Sequence, residues 1–214
     1  MRRTAEETEI TRRRVLESAV EVLGESGYSA TRLEDIAERA GVTRGAVYHH
    51  YGSKPGVLEA LVSTYAGGFD RAVEDALTGY RSPPYGGAVE LIEALMIEPL
   101  ELVASDHHLA SFFELALLRM GGDPELARLR ATRQRSVEQR LSAIGRAVSD
   151  AVPGGLGMSP EEFGRLFVAV QHGVLATWLE LSRKYSLADA ARQAAQMLIA
   201  AVTSASFTVE GGTA

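Results

Sequence analysis

The chain has 214 residues, of which 22 are Lys or Arg and 28 are Asp or Glu, so its formal net charge is −6. Hydrophobic residues make up 46%, the share of a folded protein rather than of a disordered one. The absence of cysteine excludes disulfides, thiolate nucleophiles and Cys-ligated metal sites. The charged N-terminus holds no signal-peptide core, and no run approaches the ~18 apolar residues of a membrane span. We therefore expect a cytoplasmic protein with no membrane partner.

The charges are unevenly placed along the chain. Residues 1–56 contain nine basic and nine acidic side chains, so the whole net charge belongs to the remainder. No acid occurs at positions 39–58, whereas Arg39, Arg44 and Lys54 lie there. An acidic protein can still carry a local basic face for DNA, and this acid-free window (residues 39–58) is the place to look for one. Chance is the alternative explanation, so the window needs support from pattern.

The N-terminal residues are predicted to form short helices. Apolar residues at mostly helical spacings predict a first helix over residues 10–23. The run from Thr31 to Glu34 has the spacing of a capping box, in which a Thr hydroxyl and a Glu carboxylate satisfy backbone N–H groups reciprocally. A second helix over residues 33–40 is therefore expected. Gly41 ends it, because glycine readily takes positive φ.

A third short helix is predicted over residues 44–50, with Thr43 as its N-cap and Val47 facing the core. Two short helices joined by a tight Gly-containing turn, the second one free of acids, are typical of a helix-turn-helix. Such a helix can lie in a major groove and offer donors to phosphates and base edges. Its predicted outward residues are Thr43, Arg44, Gly45, Ala46, Tyr48 and His49.

The segment from Thr31 to Leu58, TRLEDIAERAGVTRGAVYHHYGSKPGVL, resembles the DNA-binding domain of the TetR family of bacterial one-component repressors. The resemblance is most specific in the spacing Tyr48-x-x-Tyr51-x-x-Lys54, and it covers about residues 10–60. It implies that Tyr48 and Lys54 grip phosphates. It implies the same for Thr31 and Thr43, at helix N-termini where hydroxyl and backbone N–H groups bind anions.

The resemblance also implies which residues face base edges, namely Arg44, Gly45, Ala46 and His49. Arg44 is the best base reader among them, because a guanidinium can bridge O6 and N7 of guanine. The family commonly has Thr or Ser near position 46, so the base preference of a relative cannot be transferred to this chain. Double-stranded DNA with a palindromic operator is the expected partner.

The rest of the chain is predicted to be helical as well. Helices are expected over residues 54–78, 88–105, 107–120, 124–152, 160–185 and 187–207, with a kink or break at Pro99. The predicted fold class is all-α. An N-terminal three-helix helix-turn-helix DNA-binding domain, residues 1–53, precedes a larger helical ligand-binding and dimerisation domain, residues 54–214.

A ligand pocket is implied by the resemblance, because the middle helices of relatives enclose a mostly apolar cavity for a small inducer. Such a pocket combines aromatic and Met side chains with a few polar groups. Each polar candidate can instead be an ordinary surface or core residue. The predicted pocket residues are Met96, Leu100, Phe112, Phe113, Leu117, Met120, Val137, Gln171, His172 and Trp178.

A homodimer is predicted from the last two helices. One is apolar and the other is unusually rich in alanine, and small residues let helices approach closely in an inter-subunit four-helix bundle. An ordinary core within one chain is the alternative. The predicted interface residues are Phe163, Phe167, Val170, Val174, Ala191, Ala195, Leu198 and Val202.

The sequence thus predicts a homodimeric repressor that a small, hydrophobic inducer releases from its operator by pivoting the helix that begins at Lys54. A helix-turn-helix activator or architectural protein is the alternative. A helical-bundle enzyme is remote, because no His has a Glu three residues before it and no nucleophile elbow or phosphate loop occurs. No cofactor and no metal site are predicted, since His49 and His50 diverge by about 100° on a helix.

Overall fold

The computed structural model describes residues 5–80, 87–119, 122–152 and 155–209. In these residues the chain forms ten α-helices and no strand, which confirms the all-α prediction. The helices are α1 (Ala5–Ala30), α2 (Leu33–Arg39), α3 (Arg44–Tyr51), α4 (Lys54–Leu61), α5 (Gly67–Tyr80), α6 (Ala88–Ser105), α7 (His107–Glu114), α8 (Pro124–Ala151), α9 (Pro160–Glu180) and α10 (Leu187–Val209).

Several helix ends differ from the sequence prediction. Helix α1 continues past Gly24 and leaves helical geometry only at Gly27, where φ is 75°. The expected long helix over residues 54–78 contains a π-helical turn, Val62–Ala66, between α4 and α5. Helix α9 ends at Glu180 rather than near residue 185, because the two residues after Leu181 take positive φ.

The chain divides into two compact units, and the division differs from the expected one at residue 54. The first unit comprises Met1–Gly68 and Asp106–Ala131, and the second comprises Phe69–Ser105 and Thr132–Ala214. Helix α4 and helix α7 both pack on α1, which brings them into the first unit. In the same unit Tyr65 stacks on Phe112, with ring centroids 5.5 Å apart.

The first unit is built around α1, which contacts α2, α4 and α7. Its buried side chains recur at helical spacing along α1, so one stripe of this helix serves all three neighbours. Helices α2 and α3 complete the packing through Ile36, Ala37 and Val47, each at most 3% exposed. The stripe on α1 consists of Val15, Leu16, Ala19, Val20, Val22 and Leu23.

The second unit is held by close helix packing. Helix α10 contacts α6 and α9, and its Ala191, Ala194 and Ala195 are buried against them. Helices α8 and α9 approach so closely that a Cβ added at Gly164 would lie 2.1 Å from the carbonyl oxygen of Leu141. Only glycine fits there, and the contact fixes where the two helices cross.

The sequence predicted a kink or a break at Pro99. Helix α6 continues through Pro99 without a break. Proline has no N–H, so the carbonyl of Leu95, four residues earlier, loses its helical donor. The side-chain amide of Gln171 on α9 supplies the missing donor, with its Nε2 2.9 Å from the Leu95 oxygen. Gln171 is 2% exposed, and this bond satisfies both a buried amide and a buried carbonyl.

Candidate functional sites

The turn between α2 and α3 has helix-turn-helix geometry. Gly41 takes a φ of 63°, and the N–H of Val42 donates to the carbonyl of Ala37 at 2.9 Å. The hydroxyl of Thr43 accepts from the N–H of Ala46 at 3.1 Å, so Thr43 is the N-cap of α3 as predicted. Val47 is fully buried and pins α3 to α2.

The predicted DNA-facing residues of α3 lie on the outer side of this helix. Thr43, Arg44, Gly45 and His49 are exposed, and Ala46 is half-buried. Tyr48 is 63% exposed, which is unusual for a large aromatic residue. The helix carries no acid, so its outer side presents a cation, hydroxyl groups and an imidazole.

The ammonium group of Lys54 is bound within the first unit. Its Nζ donates to the carbonyl of Tyr28 at 2.7 Å and to that of Thr31 at 2.8 Å, and it lies 4.4 Å from the centre of the Tyr28 ring. These carbonyls belong to the end of α1 and the link to α2, where helical partners run out. Lys54 therefore closes the end of α1, a role that competes with the phosphate contact that the resemblance implies.

Thr31 also has an internal partner, which competes with the phosphate contact that the resemblance implies for it. It is 2% exposed, and its hydroxyl donates to the carbonyl of Gly27 at 2.8 Å. The cap of α2 lies one residue later, where the backbone N–H of Arg32 donates to the Asp35 carboxylate at 2.8 Å. The Arg32 guanidinium and this N–H together lower the pKa of Asp35. The capping box that the sequence predicted from Thr31 to Glu34 is thus wrong by one position.

Two further arginines hold the helix-turn-helix onto α1. The Nε of Arg14 donates to the carbonyl of Ala40 at 3.1 Å, where α2 ends and a positive charge is favourable. Arg39 binds Glu25 at 2.7 Å and Glu21 at 3.1 Å, and these bonds raise its pKa. Of the cations in the acid-free window, Arg39 and Lys54 are thus bound within the first unit, a role that sequence spacing did not indicate.

Tyr51 completes the attachment of α3 to α1. Its hydroxyl donates to the carbonyl of Arg12 at 2.9 Å, and the Arg12 guanidinium lies 5.7 Å from the centre of its ring. Partial burial raises the pKa of Tyr51. Tyr48 and Tyr51 are three residues apart, yet the first faces outward and the second is a structural contact.

Arg44 differs from these bound cations because its side chain is 67% exposed. It forms an ion pair with Glu34 of α2, whose Oε1 lies 3.0 Å from the Arg44 Nε. An ion pair this exposed contributes little to stability. Arg44 is therefore held but still accessible at the outer side of α3.

The predicted ligand-pocket residues differ in burial and in the partners that they contact. Met96 and Leu100 are fully buried in the second unit, and Gln171 is occupied by Leu95 as described above. Trp178 donates from its indole nitrogen to the carbonyl of Tyr185 at 2.9 Å. His172 and Val137 are exposed, Phe113 and Leu117 are half-buried, Phe112 stacks on Tyr65 in the first unit, and Met120 lies outside the described residues.

A cleft of about 300 Å³ does exist between α5 and α8 in the second unit. Its walls carry Asp70 and Arg140, which form an ion pair, and the Arg140 side chain is only 17% exposed. Burial lowers the pKa of Arg140, although arginine remains charged at any ordinary pH. The cleft is lined by Asp70, Val73, Glu74, Leu77, Gln139, Arg140 and Ala143.

The predicted dimer residues divide into two groups. Phe163, Phe167, Ala191, Ala195 and Val202 are at most 7% exposed within the single chain, so they have almost no surface left for a partner. This burial favours the alternative, an ordinary core within one chain, for these five residues. Val170, Val174 and Leu198 are half-buried and keep some accessible surface.

The outer sides of the same helices carry large uncovered side chains that the sequence prediction missed. Leu166 on α9 is 53% exposed and Met197 on α10 is 74% exposed. Leu166, Val170 and Gly173 follow one another at helical spacing on α9, to one side of the buried Phe167. We call these three residues and Met197 the outer patch.

Two classes of site find no support in the described ranges. No cluster of three or more His, Asp or Glu side chains there could hold a metal ion. None of the helices in those ranges has the length and hydropathy that a bilayer crossing requires.

Comparison with known proteins agrees with this geometry. Residues 15–61 match the family model described as bacterial regulatory proteins, tetR family. The HTH-type transcriptional regulator TtgR of Pseudomonas putida is 27% identical over 186 residues, 85% of this chain and 86% of its own. SrpR, another HTH-type regulator of that species, is 48% identical over 63 residues, 29% of this chain and 30% of its own.

A solved structure extends the likeness to most of the chain. The complex of SmeT with triclosan has a TM-score of 0.74 and 28% identity, covering 90% of this chain and 91% of that one. A second structure of SmeT is described as that of the repressor of the Stenotrophomonas maltophilia multidrug efflux pump SmeDEF.

The fold and the outer side of α3 define a helix-turn-helix DNA-binding protein. The related proteins are named as transcriptional regulators and not as enzymes. The matched model covers the helix-turn-helix, residues 15–61, and the likeness of fold to SmeT covers 90% of this chain, so the chain is similar to TetR-family transcriptional regulators.

Proposed function

We propose that this protein is a cytoplasmic homodimeric repressor that binds a palindromic operator through α3 and is released by a small, hydrophobic ligand. The observation that carries the proposal is the outer side of α3, where exposed Arg44, Tyr48 and His49 stand on a capped helix free of acids. A helix of this kind supplies base contacts from its outward residues and phosphate contacts from its N-terminus.

The proposed two-fold symmetry follows because one short helix can contact only a few base pairs. Helix α3 has eight residues, and two copies placed about 34 Å apart double the sequence that is read. The outer patch supports self-association, because uncovered apolar side chains on neighbouring helices favour burial against an identical surface. The proposed interface is therefore the outer patch with the accessible parts of Val174 and Leu198.

Release by a ligand is supported by SmeT, whose complex contains triclosan. The cleft between α5 and α8 is the proposed site of ligand entry, since it is mainly apolar at Val73, Leu77 and Ala143 and lies at the low end of the volumes of ligand pockets. Its wall α5 follows α4 in one helical run. A ligand that displaces α5 can thus bias the helix that begins at Lys54, as the sequence predicted.

Selection of bound duplexes from a random library tests the DNA-binding part of the proposal. The expected product is a palindrome whose half-site centres lie one helical turn, about 10 base pairs, or a multiple of it apart. Enrichment of a single half-site would contradict the dimer, and no enrichment at all would contradict DNA reading by α3. A reporter with the selected palindrome in its promoter then separates repression from activation, which is the alternative function.

Titration of triclosan onto the protein–operator complex tests the ligand part. DNA and ligand must weaken each other equally, typically by a coupling of about 1–3 kcal/mol. Ala143→Phe places a ring in the proposed cleft from a half-buried position, so it should weaken triclosan binding while leaving operator affinity unchanged. Triclosan bound at full occupancy with unchanged operator affinity would contradict release by this ligand.

A further inference from the structure

Glu34 lies beside the proposed base-reading arginine although it comes from a different helix. The sequence pattern assigned Glu34 to the cap of α2, but Asp35 occupies that cap through the N–H of Arg32. Glu34 is therefore available for another partner, and its Oε1 lies 3.0 Å from the Nε of Arg44. Both side chains remain accessible, at 46% and 67% exposure.

The atom through which Arg44 is held determines what remains for DNA. A guanidinium offers its donors in a planar fork, with one edge at Nε and another between its two terminal nitrogens. Glu34 contacts Arg44 at Nε, which leaves the terminal edge for the O6 and N7 acceptors of guanine. The ion pair thus occupies the edge that base reading does not require.

The position of Glu34 relative to Arg44 is set by the scaffold. Helix α2 is fixed to α3 through buried Ala37 and Val47 and to α1 through the bonds of Arg39. A carboxylate on this rigid support restricts a long side chain that otherwise loses considerable rotamer entropy on binding. Such preorganisation favours the one base pair that fits the held geometry.

The negative charge of Glu34 is also unfavourable for DNA binding. The acid-free window contains no carboxylate in sequence, yet folding brings Glu34 to the N-terminal end of α3. A carboxylate there repels phosphates and lowers affinity for every DNA sequence. Removal of its charge should therefore have opposite effects on general affinity and on selectivity.

We propose that Glu34 is a specificity-determining positioning residue, which holds Arg44 so that one base pair of each half-site is selected at the expense of general affinity. The inference rests on the proposed function, because Arg44 must meet a base edge for its position to matter. Glu34 itself is not proposed to touch DNA.

The test measures the affinity of the full-length protein for the selected operator, for its single-base variants and for unrelated DNA. Arg44→Ala first identifies the base pair that Arg44 reads. Glu34→Gln, which keeps the shape and removes the charge, should reduce discrimination at that base pair about three- to tenfold, a fraction of what a full bidentate contact provides. The same variant should bind unrelated DNA more tightly.

Glu38→Gln is the matched control, because it removes the same charge from an exposed position one helical turn away on α2. It should leave discrimination at the Arg44 base pair as in the unchanged protein. The double variant Glu34→Gln/Arg44→Ala should discriminate between base pairs no worse than Arg44→Ala alone, because Glu34 acts on discrimination only through Arg44. Thermal unfolding of each variant establishes that it is folded.

The outcomes separate the inference from the function on which it rests. If Arg44→Ala changes no base preference, Arg44 is not a base reader and both the assignment and the inference fail. If Arg44→Ala changes one base pair but Glu34→Gln does not, the positioning role alone is overturned. Equal losses in Glu34→Gln and Glu38→Gln would show a general charge effect and would likewise overturn it.

Discussion

Helices α3 and α9 both carry proposed contact surfaces, but they bury their apolar residues in different ways. Helix α3 has a single buried side chain, Val47, and nearly everything else on it is accessible. Helix α9 is apolar on two sides, so that Phe167 is fully buried while its neighbour Leu166 is 53% exposed. Exposure can be read from sequence when a helix has one apolar stripe. When it has two, the pattern does not tell which one faces the core.

The largest expected effect concerns the inner side of α9. Phe167→Ala removes a fully buried ring and should lower the free energy of unfolding by about 3–5 kcal/mol. Urea unfolding followed by circular dichroism measures the change. Leu166→Ala is the control and should change the value far less at low protein concentration. Equal losses in the two variants would contradict the division of α9 into an inner and an outer side.

The outer side of α9 should govern self-association instead. Leu166→Glu places a charge in the outer patch, so it should weaken the dimer by about 2 kcal/mol, roughly 30-fold in its dissociation constant. Sedimentation equilibrium measures this constant. Leu102→Glu changes a leucine of α6 that is 37% exposed, and it should leave the dimer intact. An unaffected dimer in Leu166→Glu would move the interface away from the outer patch.

Substitution of Lys54 tests whether this cation has a structural role in the DNA-binding unit or binds DNA. Lys54→Met keeps the aliphatic stem but loses the bonds to the carbonyls of Tyr28 and Thr31. Stability should fall by about 1–2 kcal/mol. The dependence of operator affinity on salt should stay as it is, whereas loss of a phosphate contact lowers that slope by about 1. Affinity measured at several salt concentrations distinguishes the two.

The smallest expected effect is the loss of stability at low pH when the ion pair between Glu25 of α1 and Arg39 of α2 is broken. The hydrogen bond from Arg39 is the main cause of the lowered pKa of Glu25. The folded pKa lies below the unfolded one, so this stabilisation is complete above the unfolded value, near pH 4, and is lost as the pH falls through the folded value. Glu25→Gln should flatten the fall of the melting temperature in that range. Glu38→Gln, which changes an exposed acid of α2, should keep it.

The helix-turn-helix could be predicted because its local signals agree with its tertiary packing. Thr43, Gly41 and Val47 each have one strongly preferred role at a helix start, a tight turn and a core position, and each residue takes it. The outward positions of α3 follow once these three are fixed. This is why Arg44 and Tyr48 are accessible where the sequence indicated.

The sequence did not indicate contacts between residues that are distant along the chain. Lys54 and Arg39 reach groups 14 to 26 residues away, and no local periodicity indicates such bonds. The predicted capping box of α2 lies one residue too early, because Thr31 and Arg32 are both followed three residues later by an acid. Burial of Thr31 decides between them, and burial is a property of the whole fold.

The bond between Gln171 and the Leu95 carbonyl constrains how this sequence can change. The amide is required there only because Pro99 lacks an N–H. Pro99→Ala would restore the donor within α6 and release the amide, whereas Gln171→Leu alone would strand a buried carbonyl. The two positions, 72 residues apart, should therefore tolerate substitution jointly more readily than singly. Replacement of Pro99 would therefore be a first step by which the Gln171 amide could come to bind a new ligand, because the Leu95 carbonyl would no longer need it.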